Sequence, residues 1–305
     1  MENIPVVLLF VISLAACLAG TMIKNHYSKK LSDTIAGYHL YNALTAIVCS
    51  LTLLALSGGK LSVSPFTVIL AVIFGLVTVV QQVSNSAALA SGPLAYTSVI
   101  GSMSTVITAF SGLIFFGESI SVTQIIGIVL MLFCLVLSVK KDTADEKKAA
   151  ARWLILCFIT CFATGGIGIL QKLHQSSDYK GELTAFLIIA FAFSFVFSAA
   201  NIAIIKLKAV KRNETSKKVV FFKKRPALPL LIAFFAIAGI GIALNNMINL
   251  YLSGTVPSAI FFPIVNGGGL ILTTLASVFF FRERLTKLQW VGIALGFVAT
   301  LLLCL

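Results

Sequence analysis

Residues 115–128 read FFGESISVTQIIGI, and residues 280–293 read FFRERLTKLQWVGI. At an offset of 165 the two stretches share both phenylalanines, a Glu (Glu118, Glu283), a Gln (Gln124, Gln289), a Gly (Gly127, Gly292) and the closing Ile. The likeness continues upstream. An offset of 164 pairs Gly75 with Gly239, Gln81 with Asn245, Gln82 with Asn246, Asn85 with Asn249 and Pro93 with Pro257. An offset of 148 lays GTMIKNH at 20–26 over GILQKLH at 168–174, matching Gly, Lys and His. Offsets that rise in order along the chain are what a duplication followed by small insertions leaves behind.

Composition identifies the solvent of the duplicated unit. Of the 305 residues, 59% are hydrophobic and 11% charged, with a mean hydropathy of +1.04. An ordinary soluble domain carries about 25% charged residues. A chain this apolar cannot hide its surface in its own core, so its medium is lipid. About 20 apolar residues cross a bilayer as a helix. Ten runs of that kind fill most of the sequence, at 5–23, 34–57, 66–90, 93–116, 121–139, 153–173, 183–207, 227–252, 256–281 and 287–305. A closed β-barrel is the other spanning solution, but barrel strands alternate apolar and polar residues and these runs do not.

The expected fold is therefore an all-α polytopic membrane protein of ten transmembrane helices, arranged as two inverted five-helix repeats. The first repeat covers 1–139, the polar linker KKDTADEKKAAAR covers 140–152, and the second repeat covers 153–305. Five is an odd number, so the second repeat enters the membrane from the opposite side. Inverted repeats can rock about a central site and open it to each face in turn. In this arrangement all but three of the 23 Lys and Arg residues (Lys60, Lys172 and Lys180) fall on one face. The positive-inside rule makes that face cytoplasmic and places both termini outside. Loop topology thus accounts for the net charge of +13, and no nucleic acid partner is expected.

Catalytic chemistry is thinly represented. All six cysteines fall in predicted spans, with no disulfide framework and no metal-ligand spacing. No HExxH or GxSxG occurs, and the one DxxD, Asp142 to Asp145, lies in the polar linker outside the spans, so no catalytic residue, metal or cofactor is expected. A membrane enzyme or scramblase acting on a lipid or isoprenoid substrate is the alternative to a carrier.

Polar side chains in hydrocarbon are costly unless they find partners or line a wet cavity, so they mark the expected path. Gln81, Gln82 and Asn85 on span three, and Asn245, Asn246 and Asn249 on span eight, place amides one helical turn apart as substrate-binding ladders. Span nine reads FFPIVNGGGL at 261–270, where Pro263, Gly267, Gly268 and Gly269 are expected to interrupt the helix around Asn266. Its counterpart VIGSMSTVIT at 99–108 offers Ser102, Ser104 and Thr105 instead. These carry less weight, because hydroxyls inside helices commonly bond their own preceding carbonyls. GYHLYN at 37–42 sets Tyr41 and Asn42 on a rim that could meet substrate, and His39 is a candidate proton relay. Lys24 and Lys172, if turned inward, favour an anionic group. No Asp or Glu falls in the middle of a span, so no carboxylate site for a cation or proton is expected. Gly292 and Gly296 form a GxxxG suited to a homodimer seam.

Ten spans in two repeats, each fourth span closing on an aromatic run and GE or RE ahead of a Gln and a Gly, resemble the EamA-like family of the drug/metabolite transporter superfamily. The resemblance runs the length of the chain. It implies a carrier that works without ATP, has a cavity between its halves and sits in a bacterial cytoplasmic membrane. Its expected partners are the bilayer and a small neutral, zwitterionic or mildly anionic metabolite such as an amino acid, nucleoside, sugar or drug-like molecule. The chain departs from the family at Thr105 and Leu270, where members often carry Pro thirteen residues before the Glu. Members also commonly keep both termini in the cytoplasm, opposite to the charge count here.

Overall fold

The computed structural model describes residues 5–59, 63–116, 121–123, 125–127, 129–130, 133, 144–211, 220–223, 227–256, 258–282 and 287–303. Every regular element in them is helical: α1 Val6–His26 with a π-helical turn Tyr27–Leu31, α2 Ile35–Leu56, α3 Pro65–Ser91, α4 Leu94–Ser102, α5 Ser104–Phe116, α6 Ala144–Gln175, a 3-10 turn Lys180–Glu182, α7 Leu183–Lys211, α8 Leu228–Thr255, α9 Ser258–Phe279 and α10 Lys287–Leu303. Polar punctuation sets their ends. Thr34 Oγ1 accepts from the Gly37 amide at 3.1 Å, and Ser64 Oγ accepts from the Thr67 amide at 3.2 Å with Pro65 as the first helical residue. Gly58 and Gly59, with φ of +62° and +76°, turn the chain out of α2.

Seven stretches among the described residues are long and apolar enough to cross a membrane, and α9 and α10 add shorter apolar stretches at Ile264–Phe279 and Trp290–Ala299. Large apolar side chains face outward along them, with Val7 74% and Leu228 69% exposed. In water that surface would drive aggregation; against lipid tails it is at rest. The protein is an integral membrane protein. The fifth predicted span, 121–139, falls largely outside the described residues, and Glu118 and Glu283 fall there entirely. The predicted linker is shorter than expected because α6 begins at Ala144. Its Glu, Lys, Ala and Arg are strong helix formers and simply extend the span.

The most extensive packing joins early helices to late ones: α2 to α7, α3 to α6 and α7, α1 and α2 to α8, and α4 to α9. Glycines permit the closest of these approaches. A Cβ placed on Gly75 would lie 2.5 Å from the Ala190 carbonyl oxygen on α7, and one on Gly239 would lie 2.6 Å from the Val48 side chain on α2. Edge-on contact of Phe74 with Phe186, at 5.2 Å between centroids, fills the α3–α7 seam. Cys49, Cys157 and Cys161 are free and buried in these seams as small packing residues.

One expectation is corrected. Span nine is not interrupted, since α9 runs unbroken from Ser258 to Phe279 through Pro263, Gly267, Gly268 and Gly269. Helical hydrogen bonds satisfy its backbone where no water can. The break falls in the counterpart instead, where α4 ends at Ser102, α5 starts at Ser104, and Met103 lies between. The Met103 amide reaches back to the Ile100 carbonyl at 3.2 Å, and the Ser102 hydroxyl bonds the Val99 carbonyl at 2.7 Å. Local hydroxyl competition opens the ladder here. Gly292 and Gly296, the residues expected at a homodimer seam, are buried on α10, which packs on α9.

Gly75→Val and Gly239→Val are expected to destabilise the fold by about 1–3 kcal/mol through overpacking. Thermal unfolding in detergent reads this as a lower melting temperature. Gly20→Ala, whose Cβ meets nothing within 4 Å, is expected to melt like the parent.

Candidate functional site

A chamber of about 300 Å³ lies where α1 and α3 to α9 converge. Among the described residues eight carboxamides line it: Gln81, Gln82 and Asn85 from α3, Gln171 from α6, Asn245, Asn246 and Asn249 from α8, and Asn266 from α9. So many amides in one lipid-embedded space hold water or a polar ligand far more readily than hydrocarbon does. Phe191, Phe261 and Phe262 supply an apolar portion of the wall, and Gly20, Gly101 and Gly269 line it with no atom within 4 Å of where a Cβ would sit. These glycines hold the volume open.

The two amide ladders differ in their bonding. On α8, Asn249 Nδ2 donates to Asn245 Oδ1 at 3.3 Å, Asn245 Nδ2 donates to Ser13 Oγ at 3.0 Å, and Ser13 Oγ donates to Asn249 Oδ1 at 2.6 Å. This closed triangle ties α8 to α1. On α3, the side chains of Gln81, Gln82 and Asn85 make no hydrogen bond to another described residue, and Gln82 Oε1 is fully buried. The first ladder is free to engage whatever enters. Asn266 Nδ2 donates to Thr105 Oγ1 at 2.7 Å, linking α9 to the first turn of α5 beside the helix break. Ser102 lines the chamber at that break.

Other candidates sit elsewhere. Tyr41 is not among the lining residues; its ring is fully buried between Tyr27 at 4.9 Å and Phe235 at 5.9 Å. The π-helical turn after α1 and the start of α8 cover it, so it is a packing residue and not a rim. Asn42 also lies off the chamber, donating to Ser194 Oγ at 3.0 Å and Ser198 Oγ at 2.8 Å across the α2–α7 seam. His39 Nδ1 stands 3.5 Å from the same Ser198 hydroxyl, in a buried seam and not on the path. Gly267 and Gly268 are likewise absent from the wall, with Gly268 facing Leu14 of α1, and the side chain of Pro263 lies outside the described ones. Lys24 lines the chamber and Lys172 does not; α6 presents Thr160, Thr164, Gly168 and Gln171 to it.

That last stripe was missed from the sequence, although Thr160, Thr164, Gly168 and Gln171 recur at helical spacing in an otherwise apolar run. Each Thr hydroxyl bonds its own helix, Thr160 to the Leu156 carbonyl at 2.8 Å and Thr164 to the Thr160 carbonyl at 2.7 Å. Such self-satisfied hydroxyls give little signal.

Comparison with known proteins agrees with this picture. Residues 3–140 match the profile of the EamA-like transporter family, a branch of the drug/metabolite transporter superfamily. The resemblance read from the repeats is borne out over that part of the chain. A solved structure described only as "Crystal structure of protein" is 15% identical, covers 96% of this chain and 97% of its own, and superposes with a TM-score of 0.60. It shares the fold. No curated protein matches the sequence.

Ser13→Ala removes the apex of the amide triangle. The expected outcome is a loss of about 1 kcal/mol, in the range of hydrogen bonds between membrane helices, read as a modest fall in melting temperature. Cys17→Ala, one turn along the same helix, is expected to melt unchanged.

Proposed function

We propose that the chain is a secondary membrane transporter. It carries a small neutral, zwitterionic or anionic metabolite through the amide-lined chamber, by alternating access between two inverted five-helix repeats, 1–139 and 153–305. The observation that carries this reading is the composition of the wall. Every ladder residue paired at an offset of 164 lines the same chamber: Gln81 with Asn245, Gln82 with Asn246 and Asn85 with Asn249. Gly20 and Gly168, paired at an offset of 148, line it as well. A site assembled from corresponding residues of two repeats is what a rocking pair needs, because each half then offers similar groups as the chamber turns over.

Packing supports the same exchange. Replacing α1, α2 and α3 by α6, α7 and α8, and the reverse, turns α3 on α6 into α8 on α1, and α3 on α7 into α8 on α2. All of these contacts are made. The paired glycines Gly75 and Gly239 take equivalent places in two of them. The match of the first half to a transporter family favours a carrier over an enzyme. On the face of the basic loops, Lys223 pairs with Asp33 at 3.2 Å and the Lys223 amide donates to the Leu31 carbonyl. These contacts tie the loop after α7 to the α1–α2 turn, as common sidedness requires, and we place that face in the cytoplasm.

The test is uptake into proteoliposomes of a pooled panel of labelled amino acids, nucleosides, sugars and organic acids. A Cβ at Gly269 or Gly20 meets nothing within 4 Å, so Gly269→Leu and Gly20→Leu place their bulk in the chamber, and both are expected to abolish uptake while melting close to the parent. Normal uptake in both variants contradicts the chamber as the path. For sidedness, Val220→Cys in a cysteine-free chain is expected to resist a membrane-impermeant maleimide in intact cells and to react in inverted vesicles.

A further inference from the structure

Lys24 is the single charged side chain among the described residues lining the chamber. It is half-buried in the last turn of α1, and no hydrogen bond or ion pair joins it to another described residue. All the remaining polar lining is neutral amide, hydroxyl or the Cys17 thiol, and no carboxylate of a described residue reaches it. An ammonium drawn out of bulk water is stable only with a compensating partner. Here the described walls supply none, and the anionic group of a ligand would.

We infer that the chamber selects small organic anions, with a carboxylate or phosphate group seated on Lys24 Nζ. This names the substrate class of the transporter proposed above and rests on that reading. A lone Lys is a point charge with three rotatable donors, and it accepts either anionic head without the planar fork that Arg would impose. The neighbouring amides add neutral donors, which strengthen an anion's seat without requiring a second charge.

The rest of the wall describes the rest of the ligand. The amides of Gln81 and Asn85 line the chamber without a hydrogen bond to another described residue, and a carboxamide both donates and accepts, so they suit a hydroxyl or amino group on the ligand away from its anionic end. A volume of about 300 Å³ lies at the low end for ligand pockets, which fits a compact hydroxylated or aminated acid or phosphate ester. Cations are disfavoured twice, by repulsion from Lys24 and by the lack of a carboxylate to receive them.

The experiment uses purified full-length protein as parent, Lys24→Gln and Lys24→Arg. Melting temperature is measured with lactate, glycerol phosphate and inorganic phosphate, against glycerol and putrescine as uncharged and cationic controls, and uptake of the same labelled probes is followed in proteoliposomes. At least one anion is expected to stabilise the parent and Lys24→Arg. Lys24→Gln is expected to weaken that binding by about tenfold or more, and the controls are expected to do nothing. Lactate against glycerol phosphate separates a carboxylate seat from a phosphate seat. Stabilisation by phosphatidylglycerol alone would assign the seat to a lipid headgroup and overturn the inference. So would the failure of every anion to stabilise the parent, or equal binding by Lys24→Gln. A ligand-free Lys24→Gln that melts well below the parent would show a structural ion pair to a loop carboxylate, and would overturn the inference equally. Uptake of glycerol or putrescine that ignores Lys24→Gln removes the anion preference and leaves the transporter standing. Anion binding lost in Lys24→Gln, with no uptake by the parent, keeps the seat and removes the transporter.

Discussion

A carboxamide in hydrocarbon must find a partner or water, and this requirement organises the whole molecule. Eight of them gather in one chamber, and the helices around them are otherwise apolar. Their apolar outer faces are indifferent to lipid, so the polar groups decide which helix faces turn inward. Close packing then fixes the geometry. Glycines at Gly75 and Gly239 bring α3 onto α7 and α8 onto α2, and the space left between the helices is the chamber.

The two amide ladders occupy corresponding places but different states of bonding. The α8 ladder is closed on itself through Ser13, whereas the α3 ladder is unpartnered among the described residues. One helix is anchored to its neighbour while the other keeps its donors and acceptors for a ligand. The break at Met103 has a similar place in the molecule, because the Asn266–Thr105 hydrogen bond reaches across to α9 just beyond it.

Much of this was legible in the sequence, for a physical reason. Bilayer thickness sets span length, so run length located nine of the ten expected spans to within a few residues at most ends, with the fourth described as α4 and α5 and the fifth largely outside the described residues. Amides in apolar text stand out, and Gln81, Gln82, Asn85, Asn245, Asn246, Asn249 and Asn266 all reached the chamber wall. What escaped depends on a partner distant in the chain. Tyr41 and Asn42 looked like rim residues until Phe235 and the Ser194–Ser198 pair closed over them. Pro263 and three glycines looked like a break, yet the break formed where serines compete for carbonyls. Lys24 and Lys172 are written alike, and the choice between them rests on helix rotation, which packing sets and periodicity does not.

Transport by this fold requires that one chamber face both compartments in turn. A single cysteine at Gly269, in an otherwise cysteine-free chain, probes this when exposed to a membrane-impermeant maleimide. Right-side-out and inverted vesicles present the two faces separately. Alternating access should give reaction from each side, slowed on both by locking α4 to α9 with a cross-link. Reaction from one side only, unchanged by the lock, would rule it out.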